Sequence, residues 1–168
     1  YEKYLISSTV ADGEFAAGTV PGGQGSLLSG VGTGFFYDSR NNVFYPNRGV
    51  VADFTFLSHG RAVGSQVHFD RYVADVASYH PLGNRATLAL NYVLSVTSSG
   101  DAPFNALSLL GGTKRGRGFY EGRFRDDNMA LLQAEVRLRV WGRLGAVAFG
   151  SVGTLGNRRD FMRLSDPK

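Results

Sequence analysis

The chain has 168 residues, among them 23 Gly, 12 Phe and 8 Tyr, with a formal net charge of +4 and no Cys. One domain's length, no thiol for a disulfide or thiolate metal site, and no run of ~18 apolar residues together exclude a disulfide scaffold and a helical membrane protein. Heavy use of Gly and aromatics points to an all-β chain, and a β-barrel escapes any hydropathy test because its alternating strands average out.

The N-terminus reads YEKYLISSTV without an initiator Met or signal peptide, and the C-terminus stops at SDPK. Residues 1–168 are therefore expected to be one barrel domain truncated at both ends, with no periplasmic repeat domain. Residues 3–10 predict a short strand, followed by a Gly-rich region without a clear period. GVGTGFFYD (30–38) predicts the next strand, and SRNNVFYPNRG carries the Asn-Asn, Pro-Asn and Arg-Gly steps of turns. Residues 50–58 alternate cleanly, with Ala52, Phe54 and Phe56 opposite Asp53 and Thr55.

His59-Gly60-Arg61 predicts a tight connection, and the return strand blurs near Arg71–Tyr72, where a bulge is expected. HPLGN (80–84) predicts a turn. Residues 85–97 follow as a strand with Leu88, Leu90, Tyr92, Leu94 and Val96 on one face. WGRLG (141–145) turns the chain into a last apolar strand.

The most informative stretch is 111–140. Ala130, Leu132, Ala134, Val136, Leu138 and Val140 fall on one face of a strand, and Gln133, Glu135, Arg137 and Arg139 on the other. Before it lies a Gly-rich loop carrying Arg115, Arg117, Arg123 and Arg125 with Phe119, Tyr120 and Phe124. A loop so basic and long must be disordered or fold onto something polar, and Glu135 is the nearest candidate. The arginines alternate into a strand instead of forming one outward patch, which argues against nucleic acid.

Seven or eight strands of ~9–11 residues, joined alternately by short turns and longer loops, fit a meander crossing a bilayer. Periodicity alone is compatible with a soluble sandwich as well. The order of connections and the aromatics near strand ends (Tyr45, Tyr79, Trp141) favour an antiparallel transmembrane β-barrel, with the charged face lining its lumen.

Three segments then carry a specific likeness. GGTKRGRGFYEGRFRDDNMALLQAEVRLRVWGRLGAVAFGSVG resembles the signature end of the BamA/TamA-type surface-antigen barrels, the outer-membrane barrels of bacterial protein assembly and two-partner secretion. YDSRNNVFYPNRG resembles that family's strand-turn, and YHPLGNRATLAL a further hairpin; together they cover about residues 30–155. The resemblance implies a bacterial outer-membrane location and a barrel of roughly sixteen strands, of which this chain supplies about half. A small barrel closed by this chain alone is the alternative.

It also implies a lumenal loop whose Arg117-Gly118-Phe119 tip meets Glu135 on the inner wall, with Gln133, Arg137, Arg139 and Ser151 as supporting wall residues. The family's second acid falls on Ser151, which leaves Glu135 to neutralise Arg117 largely alone. Gly118 would approach the wall closely or adopt positive φ, and Phe119 would pack where loop meets wall. The implied function is insertion or translocation of outer-membrane or secreted polypeptides, with outer-membrane lipid and client chains as partners.

The alternatives are a passive pore, an anchoring barrel of a larger protein, or a soluble sandwich. His59, His68 and His80 lack ligand spacing, so no metal or other cofactor is expected. Asp126-Asp127 read as solvated turn residues, and the chain has neither a Gly-x-Ser-x-Gly elbow nor a phosphate loop; no enzyme activity is expected.

Overall fold

The structure, a computed structural model, describes residues 1–6, 17–98 and 102–157. Ten strands occur in chain order: β1 (Glu2–Tyr4), β2 (Ser26–Leu28), β3 (Gly30–Asp38), β4 (Gly49–His59), β5 (Phe69–Leu82), β6 (Ala86–Thr97), β7 (Ser108–Leu110), β8 (Phe124–Asp126), β9 (Asn128–Trp141) and β10 (Leu144–Gly156). The long ones form a single antiparallel sheet in the order β10-β9-β6-β5-β4-β3, and β1-β2 and β7-β8 are separate short pairs. Among the described residues the only helical elements are 3-10 turns at Arg61–Val63 and Phe104–Ala106.

The sheet is an open stretch of barrel wall. β3 and β10 do not pair with each other, so the described strands do not make the small closed barrel of the alternative reading. Cross-strand register fixes the faces. Glu135 stands opposite Ala89 and Phe149, Gln133 opposite Asn91 and Ser151, and Ala77 and Asp75 continue that face on β5. The other face presents Phe35, Tyr37, Phe54, Tyr72, Tyr92, Leu132, Leu138, Val140 and Val152, all exposed.

So large an uncovered apolar face suits lipid, where a soluble sandwich would bury it under a second sheet. Along β5 this face runs through Tyr72, Ala74 and Val76, with polar Asp70 on one side and Ser78 and His80 on the other. The ten residue steps from Asp70 to His80, at ~3.3 Å each and tilted by ~40°, span about 25 Å, the height of the apolar band of an outer-membrane barrel.

The two ends of the wall differ. Residues 39–48, 83–85 and 142–143 connect strands at one end, and 60–68 and 98–127 at the other. At the long-loop end the inner face is covered by the chain's own loops. Leu110 of β7 packs with Val93, Met129 and Leu131, joined by Leu155. Leu28 of β2 packs with Phe69 and Ala102. Ser108 Oγ donates to Ser95 Oγ at 2.8 Å, and Thr97 N–H to Asn128 Oδ1 at 2.7 Å, so these buried polar groups find partners, whereas His59 Nδ1, Arg71 Nε and Asn105 Nδ2 are buried without one among the described residues.

Several expectations need correction. β5 runs without a register shift past Arg71 and Tyr72, so no bulge lies there. The alternation blurs because the inner face of β5 carries Arg71 and Asp75 among Val73 and Ala77. The tight connection at His59–Arg61 is instead a longer link that contains the 3-10 turn and reaches residue 68. The expected turn at 80–84 shrinks to 83–85, since β5 continues through Leu82. The N-terminal strand is three residues long, and half of its expected span, residues 7–10, lies outside the described residues. The long basic loop holds a hairpin, β7-β8, that the sequence pattern does not indicate.

Candidate functional site

The loop from Leu110 to Phe124 is closed by its own backbone before it meets the wall. Gly112 N–H donates to Phe119 O at 2.9 Å, Gly122 N–H to Leu110 O at 3.2 Å, and Arg123 N–H to Tyr120 O at 3.1 Å. Arg125 Nε donates to Gly122 O at 3.1 Å, so one of the four loop arginines staples the loop itself. Gly118 sits at φ +108 with open space where a Cβ would stand. Its requirement is therefore the left-handed backbone, not close approach to the wall.

Two wall residues of β9 receive the tip. Gln133 takes the backbone: its Oε1 accepts from Gly116 N–H at 3.0 Å, and its Nε2 donates to Lys114 O at 2.8 Å and to Asn91 Oδ1 at 2.9 Å. Asn91 Nδ2 in turn donates to Asp75 Oδ1 at 2.7 Å. A polar ladder thus crosses β9, β6 and β5 beneath the tip.

Glu135 takes the charge. Its Oε2 accepts from the Arg117 guanidinium and its Oε1 from Arg137 Nε. One carboxylate therefore faces two guanidiniums with both oxygens engaged, a strong form of charge-assisted bonding.

The third side of Arg117 is aromatic. Its guanidinium carbon lies 4.2 Å from the centroid of the Phe149 ring. Phe149 stands directly opposite Glu135 in the β9-β10 ladder, so a guanidinium bonded to that carboxylate comes to lie over the ring.

Arg137 extends the cluster to the short-turn end. It approaches the Pro46 carbonyl at 3.5 Å and lies 5.5 Å and 5.7 Å from the ring centroids of Tyr45 and Tyr79. The turn that presents Tyr45 and Pro46 is held by asparagines. Asn41 Oδ1 accepts from the N–H groups of Asn47 and Arg48, and Asn42 Oδ1 from those of Phe44 and Tyr45.

The remaining named residues are placed as follows. Ser151 faces inward beside Gln133 on β10. Arg139 lies exposed near the end of β9, its side chain outside the Glu135 cluster. Phe119 meets Phe124 edge-to-face at 5.5 Å, within the loop, and Phe149 supplies the wall aromatic instead. Tyr45 and Tyr79, which the sequence suggests as barrel-rim aromatics, belong to the Arg137 cluster. Asn91, Asp75 and Phe149 are site residues that sequence reasoning misses. Asn91 is visible as the one amide on the inner face of residues 85–97, but no period marks Phe149.

Between tip and wall, beside Ala77 and Ala89, is a cavity of about 90 Å³. Ligand pockets are typically ~300–1,000 Å³, so this is room for a few waters and not for a substrate. The cluster holds the loop tip against the wall through charge-assisted bonds.

Comparison with known proteins bears on what is held. A family model described as the Omp85 superfamily domain matches residues 7–165. Among solved structures, the chain is similar to BamA from Haemophilus ducreyi lacking POTRA domains 1–3, at 17% identity and a TM-score of 0.70. The match covers 84% of this chain and 32% of that one, so the chain spans about a third of its length. No curated protein matches.

Proposed function

The chain belongs to the Omp85 superfamily and lies in the bacterial outer membrane, and from that premise we propose that its barrel helps insert or translocate outer-membrane or secreted polypeptides. The unpaired backbone groups at a barrel seam can template an incoming strand, which is strand addition to a sheet edge. The lumenal loop is the latch of this device. Arg117 pins it to Glu135, Gln133 pins its backbone through Gly116, and Gly118 gives the tip its left-handed turn.

The observation that carries this reading is the sharing of Glu135 between Arg117 and Arg137. Through it the loop tip, the wall and the 39–48 turn form one connected cluster. Release of the tip would free one oxygen of Glu135 and leave Arg137 as its remaining partner. The latch can then open without stranding the carboxylate, because a second guanidinium is already bonded to it.

The test uses the intact protein reconstituted in vesicles, with an unfolded outer-membrane barrel as client. Insertion faster than into empty vesicles is the expected result, with slowing in Glu135→Gln and Gln133→Leu. Steady conductance with no acceleration of client insertion would replace this reading with a passive pore.

A further inference from the structure

Three connections meet at the short-turn end: residues 39–48, 83–85 and 142–143. Each places an exposed arginine next to exposed apolar side chains. Arg48 accompanies Val43 and Phe44, Arg85 accompanies Leu82, and Arg143 accompanies Trp141 and Leu144. Phe44 is 97% and Trp141 81% exposed, far beyond what a ring packed on its own chain would show. Near this end Asp38 is bound by Arg40 and Glu135 by Arg117 and Arg137, while Asp53, further along β4, accepts from Thr55 and pairs with no arginine among the described residues. Among the described residues Arg48, Arg85 and Arg143 therefore have no acidic partner. The long-loop end is different, since Glu121, Asp126 and Asp127 are interspersed there with Arg115, Arg123 and Arg125.

The same pairing of arginine with apolar residue thus recurs on three turns far apart in sequence, just beyond the ~25 Å apolar band. Two of these connections, 83–85 and 142–143, are only three and two residues long, against the stretch 98–127 at the other end, and short turns mark the periplasmic end of an outer-membrane barrel. We propose that this rim is a binding surface for anionic phospholipid headgroups of the periplasmic leaflet. The guanidinium forks match lipid phosphates, and the ring and aliphatic side chains enter the interfacial zone beside them. Inorganic phosphate would use the arginines but leave Phe44 and Trp141 without a role.

The intact protein, carrying Asn84→Cys as its one labelled thiol, tests this in vesicles containing brominated phosphatidylglycerol or brominated phosphatidylcholine. Quenching should favour the anionic lipid by roughly fivefold or more at low ionic strength, the share one basic residue supplies near an anionic surface. The preference should shrink with added salt. It should approach unity in R48Q/R85Q/R143Q and persist in R48K/R85K/R143K. If the triple Gln variant fails to fold, R85Q and R143Q singly should each lose part of the preference. Equal quenching by the two lipids, or a preference unchanged in the Gln variants, overturns the proposal. So does an equal preference reported from a Tyr120→Cys label at the long-loop end. Shielding of the Asn84→Cys label from both lipids would overturn it in favour of an acidic protein partner.

Discussion

Replacing Glu135 by Gln keeps the side chain's volume and removes the one negative charge between Arg117 and Arg137. The magnitude follows from exposure. Glu135 is 13% exposed at its side chain but Arg117 is 39% exposed, so solvent screens the arginine half of the pair. The ~3–5 kcal/mol of a fully buried broken pair therefore does not apply, and an exposed pair is worth only ~0.2–1 kcal/mol. Between these, a hydrogen bond to a charged group contributes ~1.5–3 kcal/mol before that screening. We expect loop docking to weaken by about 1–2 kcal/mol. At 1.4 kcal/mol per tenfold, amide protection of Gly116 and its neighbours should fall roughly five- to thirtyfold by hydrogen exchange on the intact protein.

The double variant Arg117→Gln/Glu135→Gln should lose less than the sum of the singles, by ~1 kcal/mol. A charge swap, Arg117→Glu with Glu135→Arg, should restore docking only in part, because the new arginine would stand against Arg137. Adding Arg137→Gln to the swap should complete the rescue. Additivity within ~0.3–0.5 kcal/mol, or unchanged exchange in Glu135→Gln, would refute the shared-carboxylate account.

Gln133→Leu leaves the Gly116 N–H and the Lys114 carbonyl without their wall partner. It should cost about 1–3 kcal/mol of loop docking, read from the same exchange experiment, while the sheet stays folded. Met129→Ala empties a fully buried position in the cluster beneath β7 and should destabilise by ~2–5 kcal/mol, read from the urea midpoint of the refolded barrel. Asn41→Ala removes the acceptor for two backbone N–H groups and should cost ~1–2 kcal/mol. Its effect should spread to exchange at Tyr45, and equal exchange in both proteins would show that the turn is held otherwise.

Much of the wall is legible in sequence because strand alternation is local. Residues 50–58, 85–97 and 130–140 each reveal their faces through a period of two, and the register then sets those faces side by side. Arg117 and Glu135 are picked out by a family resemblance, not by spacing. The bulge expected at Arg71–Tyr72 is absent for an instructive reason: a lumen wall tolerates charged and apolar residues in one row, so its alternation is noisier than that of a face packed on a core.

What the sequence determined by itself is the set of long strands, their two faces and the basic character of the long loop, since each depends on residues within a few positions of one another. The tertiary structure alone decided what the loop rests on. Phe149, Asn91, Asp75 and Pro46 come to the Glu135 cluster from four other segments through cross-strand register and a folded turn. Register is a relation between strands, set by pairing along the whole ladder, and no single strand's pattern contains it.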